Sequence, residues 1–493
     1  MLTVHVRIND AATSKPTPVR VRFLDEAGGL HVPFGHLAEF ATEPGHHVGG
    51  DVRLGTSRFS YIDGACEVRL PAGPITVEIL KGPEYSPLRR VVTLGPGQIA
   101  LRFAVERWTD LRAEGWYSGD TRSTYLSPHA ALLEGGAEDL AVVNLLAVER
   151  PSSLDLCTAV SNIVAFSGTK PCLESTGHLV AVNTLNVHPI LGSVALLDSH
   201  RPVFPLRFGV PDGLDDWSVA DWCDQCHRKR GLVVWPHLPR LTDAAPQGEA
   251  LAALLLGKID AFEVSGFNDP EPDVLGDWYR LLDCGLRIPL AGGSGKDSNA
   301  IALGAVRTYA RLADGQPFGY AAWIDAMKAG RTFVTNGPLL SLTADGSGPG
   351  SVLRIPPEGR RIPVRIEARG TAAFDRVELL LNGSIVASRE ASGNRQSALL
   401  EVELAPTENA WLAARCWGRD RLPDGQCVYA HTSPIYLQAE GPPMAPASAM
   451  AEPLVAVLDR TLDWVEKQAR CETEHQRAHL IEVLRAGRAR LTR

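Results

Sequence analysis

Between residues 108 and 340, helix-like stretches alternate with short apolar strands, and this alternation constrains the fold more than any other feature of the 493-residue chain. Residues 130–139 read as helix before the apolar run 141–147, 217–230 before 231–235, 249–257 before 261–265, and 274–284 before 288–290. Repeated helix-then-strand predicts a parallel sheet covered on both faces. About 230 residues of it suit a distorted (β/α) barrel, where chemistry sits at the carboxyl ends of the strands.

The pattern changes on either side. Residues 1–105 are short alternating runs cut by Gly and Pro turns and predict an N-terminal β-sandwich. Residues 341–440 return to strands, with Asn382-Gly383 as a hairpin turn, and predict an Ig-like β domain. A linker begins at 441. Leu454, Val457, Leu458, Leu462 and Val465 then give the 3–4 spacing of an amphipathic helix within 441–493. The expected product is a multidomain α/β plus β protein: sandwich 1–105, central barrel 106–340, Ig-like domain 341–440, linker and helical tail 441–493.

Lys plus Arg number 49 against 57 Asp plus Glu, a net charge of −8 that argues against nucleic acid as a partner. The chain lacks the roughly 18 uninterrupted apolar residues of a membrane span. Residues 1–10 read as a strand rather than a signal peptide. The expectation is cytoplasmic for the chain as written, and exported if the true start lies upstream. Nine scattered cysteines form no disulfide framework and fit a reducing compartment. Fourteen histidines raise the question of a metal site.

The segment from Gly115 to Thr124 (GWYSGDTRST) bears most on function. It resembles the opening of the PHP-like metallohydrolases of the CehA/McbA type, which carry Gly-Asp-x-His-x-His after the first barrel strand. Ala131-Leu132-Leu133-Glu134, Ala137-Glu138-Asp139-Leu140 and the stretch from Lys328 to Pro338 (KAGRTFVTNGP) resemble later phrases of that family in order. The resemblance covers most of the chain and implies a PHP-type barrel, hydrolysis by metal-activated water, and a cluster of His and carboxylate ligands.

The implied ligands are mostly replaced. The two leading His fall on Arg122 and Thr124. Arg cannot shed its proton and repels a cation. The bridging Glu falls on Leu185 and a later His on Ser193, the alignment favoured by flanking register; alternatively Glu174 and His178 take those places. His237 ends a strand as the family's late His does. The final Asp-x-His falls on Gly295 and Asp297. A divalent metal (zinc, manganese or iron) is therefore disfavoured, with His237 the ligand if one is retained.

His237, Asp297 and Asp120 are the catalytic candidates. Arg122, Thr124, Ser294, Lys296, Asn299 and Arg307 are the ligand-binding candidates, the backbone amides around 294–299 being able to cradle an anion. Each also has a plainer reading: Asp120 as a cap, Arg122 as its counter-ion, Arg307 and His188 as structural. Cys223-Asp224-Gln225-Cys226-His227 has the spacing of haem attachment, but lies within a helical pattern where both cysteines read as buried packing. Three functions stay open. One is a degenerate relative that binds an anionic or polyhydroxylated small molecule or glycan. Another is a hydrolase of esters, carbamates or phosphoesters with a reduced site. The last is a glycan- or protein-binding scaffold working through its β domains.

Overall fold

The computed structural model describes residues 1–35, 40–43, 46–150, 159–209, 213–236, 247–269, 273–357, 359–439 and 448–492. His237 lies outside the described residues.

The N-terminal part is two packed sheets. Leu2–Asp10 pairs with Ala100–Val105 and Ala65–Leu70; Val19–Asp25 lies between Gly73–Leu80 and Ser57–Ile62 in the second sheet. Alternate residues point inward, so Val4, Val6 and Ile8 meet Val21, Phe23, Val77 and Ile79 in one core. This is the period of two expected of strands buried on one face.

The central layer corrects the barrel expectation. The chain is 41% strand and 20% helix, and among the described residues no barrel closes. A single 16-stranded sheet runs from Leu290–Gly292 through Ala261–Val264, Leu232–Pro236, Gly192–Leu197, His178–His188, Val142–Ala147 and Trp116–Ser123 to Arg307–Arg311 and Thr332–Thr335. A (β/α) barrel needs every strand parallel, with a helical crossover between neighbours. Here His178–His188 turns straight into Gly192–Leu197, which is antiparallel to both its neighbours. Arg307–Arg311 and Thr332–Thr335 also run antiparallel to theirs. The sheet then continues into the C-terminal part, where Thr332–Thr335 pairs with Cys427–Thr432.

The segment after Leu290–Gly292 doubles back onto Trp116–Ser123. Gly295 N donates to Arg122 O (2.9 Å) and Thr124 N to Lys296 O (2.7 Å), with a bridge between Ser123 and Lys296. That return brings the end of the sheet over its middle and creates the polar centre described below. Gly119 has no side chain because the indole of Trp323 lies there; a Cβ would stand 2.4 Å from it.

A three-stranded sheet (Leu339–Ala344, Ile362–Arg369, Ser397–Leu404) completes the C-terminal β part, packing Leu342, Val364 and Ile366 in one core with Leu412, Ala414 and Val428. The helices Ser448–Lys467 and Glu474–Leu491 form a hairpin on Gly248–Leu255. Leu454, Leu458, Val465, Leu480 and Leu484 are buried there with Leu251 and Ala252. Thr461 Oγ1 accepts from Gly248 N (3.0 Å). Among the described residues no helix is long and apolar enough to cross a membrane.

Candidate functional site

The carboxyl end of Trp116–Ser123 carries six consecutive buried residues, from Ser118 to Ser123. Asp120 is fully buried and accepts four hydrogen bonds. Arg122 N (3.0 Å) and Ser294 N (2.9 Å) reach Oδ1; Ser294 Oγ (2.5 Å) and Gly304 N (2.8 Å) reach Oδ2. Burial pushes its carboxyl above the ordinary value, and these four donors offset only part of that rise. Asp120 thus holds together the strand, the returning loop and the turn at Gly304.

Arg122 donates through Nε to Glu263 Oε1 (2.7 Å), while Thr121 Oγ1 donates to Glu263 Oε2 (2.6 Å). Both carboxylate oxygens of the buried Glu263 are therefore occupied. The guanidinium is fixed at one nitrogen; among the described residues neither of its terminal nitrogens meets an acceptor. The Arg122 side chain is 11% exposed. Gly293 lies under this pair, and a Cβ there would stand 2.4 Å from Thr121 Oγ1 and 2.9 Å from Glu263 Oε2. Gly293→Ala is expected to force the pair apart and lower stability by about 1–3 kcal/mol, read by urea denaturation. An unchanged midpoint would show that the pair can shift freely.

Lys296 faces away from Arg122 in its contacts. Its Nζ donates to Ser298 O (3.2 Å) and Ile301 O (2.9 Å) and lies 3.3 Å from Glu134 Oε2 on the helix Pro128–Ala137. Both side chains are wholly buried. Burial drives the Glu134 carboxyl up to about 7, although Lys296 opposes the shift. Thr124 Oγ1 donates to Lys296 O (3.2 Å).

Of the loop amides proposed to cradle an anion, those of Ser294, Gly295, Lys296 and Asn299 already have acceptors. Gly293 N donates to Val264 O, Ser294 N to Asp120, Gly295 N to Arg122 O and Lys296 N to Ser294 Oγ. Asn299 ties the loop to the N-terminal part, its N donating to His47 O (2.7 Å) and its Nδ2 to Gly49 O (3.2 Å). Arg307 donates to Gly304 O and Glu138 O. Asp297 is exposed.

The structure thus brings Asp120, Arg122, Thr124, Ser294 and Lys296 together and leaves Asn299 and Arg307 at the margins, bonded to backbone. In the alternative placement of ligands, Glu174 is exposed and the His178 ring bonds Leu140 O (2.6 Å) near the amino-terminal ends of the central strands, with burial lowering it to about 4. Leu185 packs against an apolar cluster. His188 donates from Nε2 to Asp215 (2.9 Å) and accepts Ile190 N and Leu191 N at Nδ1, a satisfied buried histidine. Cys223 and Cys226 are buried free thiols on the helix Val219–Arg228. Among the described residues no group of three or more His, Cys, Asp or Glu is arranged to hold a metal ion.

Glu134 and Glu263, the partners that define the centre, escaped the sequence reading. Their signal was a lone carboxylate inside an apolar run, Ala131-Leu132-Leu133-Glu134 and Ala261-Phe262-Glu263-Val264. Such a residue is rarely buried without a cation.

Fold and centre define a β-rich protein whose main sheet crosses from the central layer into the C-terminal one and encloses an ion-paired polar centre. No protein-family model, curated protein or solved structure matches the chain.

Proposed function

We propose that this chain is a relative of the CehA/McbA-type hydrolases in which the inherited metal site has given way to recognition of a small anion by Arg122. The observation that supports this is the half-used guanidinium: Nε is fixed by Glu263, and at the carboxyl end of the strand the two terminal nitrogens meet no acceptor among the described residues. A guanidinium so oriented offers two parallel N–H groups, the geometry that suits a carboxylate or phosphate. Glu263 neutralises much of its charge, so selectivity comes from the fork rather than from net charge. Thr121 keeps Glu263 from rotating and so keeps the fork aimed.

Titration with acetate and with inorganic phosphate, followed by calorimetry, tests the reading. Saturable binding weakened roughly tenfold or more by Arg122→Lys, which keeps the charge and loses the fork, is the expected result. Binding indifferent to that change would overturn it. Metal content supplies the second test. Stoichiometric zinc, manganese or iron, lost in His237→Ala, would return the protein to the metal-dependent hydrolases. Turnover of a phosphate or carboxyl ester by metal-free protein, collapsing in Asp297→Ala, would instead make it a hydrolase with a reduced site.

A further inference from the structure

A second place in the molecule has the makings of a ligand site, independent of Arg122. A crevice of about 160 Å³ lies where the N-terminal sandwich, the central layer and the C-terminal β part meet. Binding sites favour such junctions, and a space of this size suits a small guest rather than a drug-sized one. Its walls are largely aliphatic, with Leu80, Leu303 and Leu422 each from a different part of the chain.

Two guanidinium groups line it, and both are anchored on Glu138. Arg20 Nη1 donates to Glu138 Oε1 (2.9 Å), and Arg307 Nη1 donates to Glu138 O (2.7 Å). Tyr61 Oη donates to the same Oε1 (2.9 Å). Arg20 Nε is buried without an acceptor. Arg307 is 95% buried by its 5% exposure, uses Nε on Gly304 O (2.9 Å), and has no acceptor for its remaining terminal nitrogen among the described residues. The Nε of Arg20 is closed to solvent and out of a guest's reach, so it is the unused terminal nitrogen of Arg307 that costs the fold unless something fills the place. Two cations against the single Glu138 carboxylate favour a negative guest. The other acid on the rim, Asp424, is turned onto Gln426, accepting its N and Nε2 (both 3.0 Å).

We propose that this crevice binds a small amphiphilic carboxylate, its acid group on Arg20 and Arg307 and its alkyl chain along the leucine walls. The test uses the full chain with octanoate as probe and octanamide as its uncharged counterpart, read by calorimetry. Octanoate is expected to bind saturably with a Kd on the order of 1 mM, and octanamide roughly tenfold or more weakly. Ala372→Trp, which places an indole in the crevice, should abolish octanoate binding. Arg20→Gln should weaken it roughly tenfold while leaving octanamide unaffected. Thermal melts confirm that each variant folds; if Arg20→Gln does not, Ala372→Trp alone decides. Arg122→Lys should leave octanoate binding unchanged, which separates this site from the one above. The proposal is overturned if octanoate fails to bind, if octanamide binds equally well, if Ala372→Trp binds like wild type, or if Arg122→Lys removes the binding.

Discussion

Lys296→Met is expected to lower the unfolding free energy by about 3–5 kcal/mol at pH 8, the cost of leaving a buried charge without its partner. Met keeps most of the volume of the lysine stem, so the loss is electrostatic and polar rather than a cavity. It removes the cation 3.3 Å from Glu134 and the donor to Ser298 O and Ile301 O. The deficit should depend on pH in a definite direction. The Glu134 carboxyl, ordinarily near 4.5, is raised to about 7 in the folded protein. A raised carboxyl means the folded state holds a proton that the unfolded chain has released. Stability from this group therefore falls as pH rises from about 4.5 to 7. Without Lys296 the carboxyl rises further, so at pH 5.5 it is protonated in the variant and little charge is left uncompensated. Denaturation at pH 5.5 and at pH 8 should show a deficit well under half as large at the lower pH. An equal deficit at both would mean that the Lys296–Glu134 ion pair contributes nothing. In Lys296→Met/Glu134→Leu most of the loss should disappear, because both charges leave together.

Asp120→Ala carries the second large effect. It strips the acceptor from three backbone amides and one hydroxyl, those of Arg122, Ser294 and Gly304, at the point where strand, loop and turn meet. An orphaned buried donor costs about 1–3 kcal/mol, so a loss of at least about 4 kcal/mol is expected in urea. Asp120→Asn should lose about half as much. Its carbonyl still accepts Arg122 N and Ser294 N, but its amide confronts Gly304 N, donor against donor. An Asn variant as stable as wild type would show that Asp120 is already protonated and donating, contrary to a carboxylate serving four donors.

Parts of this architecture were legible in the residues. Val4 and Val6 declared a strand buried on one face, and Leu454, Leu458 and Val465 declared a helix with one apolar side. Cys223 and Cys226 were read as buried helix residues and His188 as structural, and they stand so. The candidates Asp120, Arg122, Thr124, Ser294 and Lys296 were chosen from two distant segments, and the structure brings them together. The expected barrel was wrong, because strand direction was not legible. The run from His178 to Leu197 has the apolar look of buried strands, and nothing local shows that its halves run in opposite directions. Nor do the residues show that the sheet passes on into Cys427–Thr432.

By itself, the sequence determined which segments form strands and helices and which polar residues lie near the turning points between them. Those are local matters, governed by side-chain periodicity and turn chemistry. Only the tertiary structure decided the direction of the strands and the employment of the charges. Strand direction is chosen by hydrogen bonds between separate segments. Whether a cation is available or committed depends on a partner far along the chain: Glu263 lies 141 residues from Arg122. Packing put a carboxylate beside each of the two cations, and among the described residues it left the terminal nitrogens of one of them, Arg122, without an acceptor.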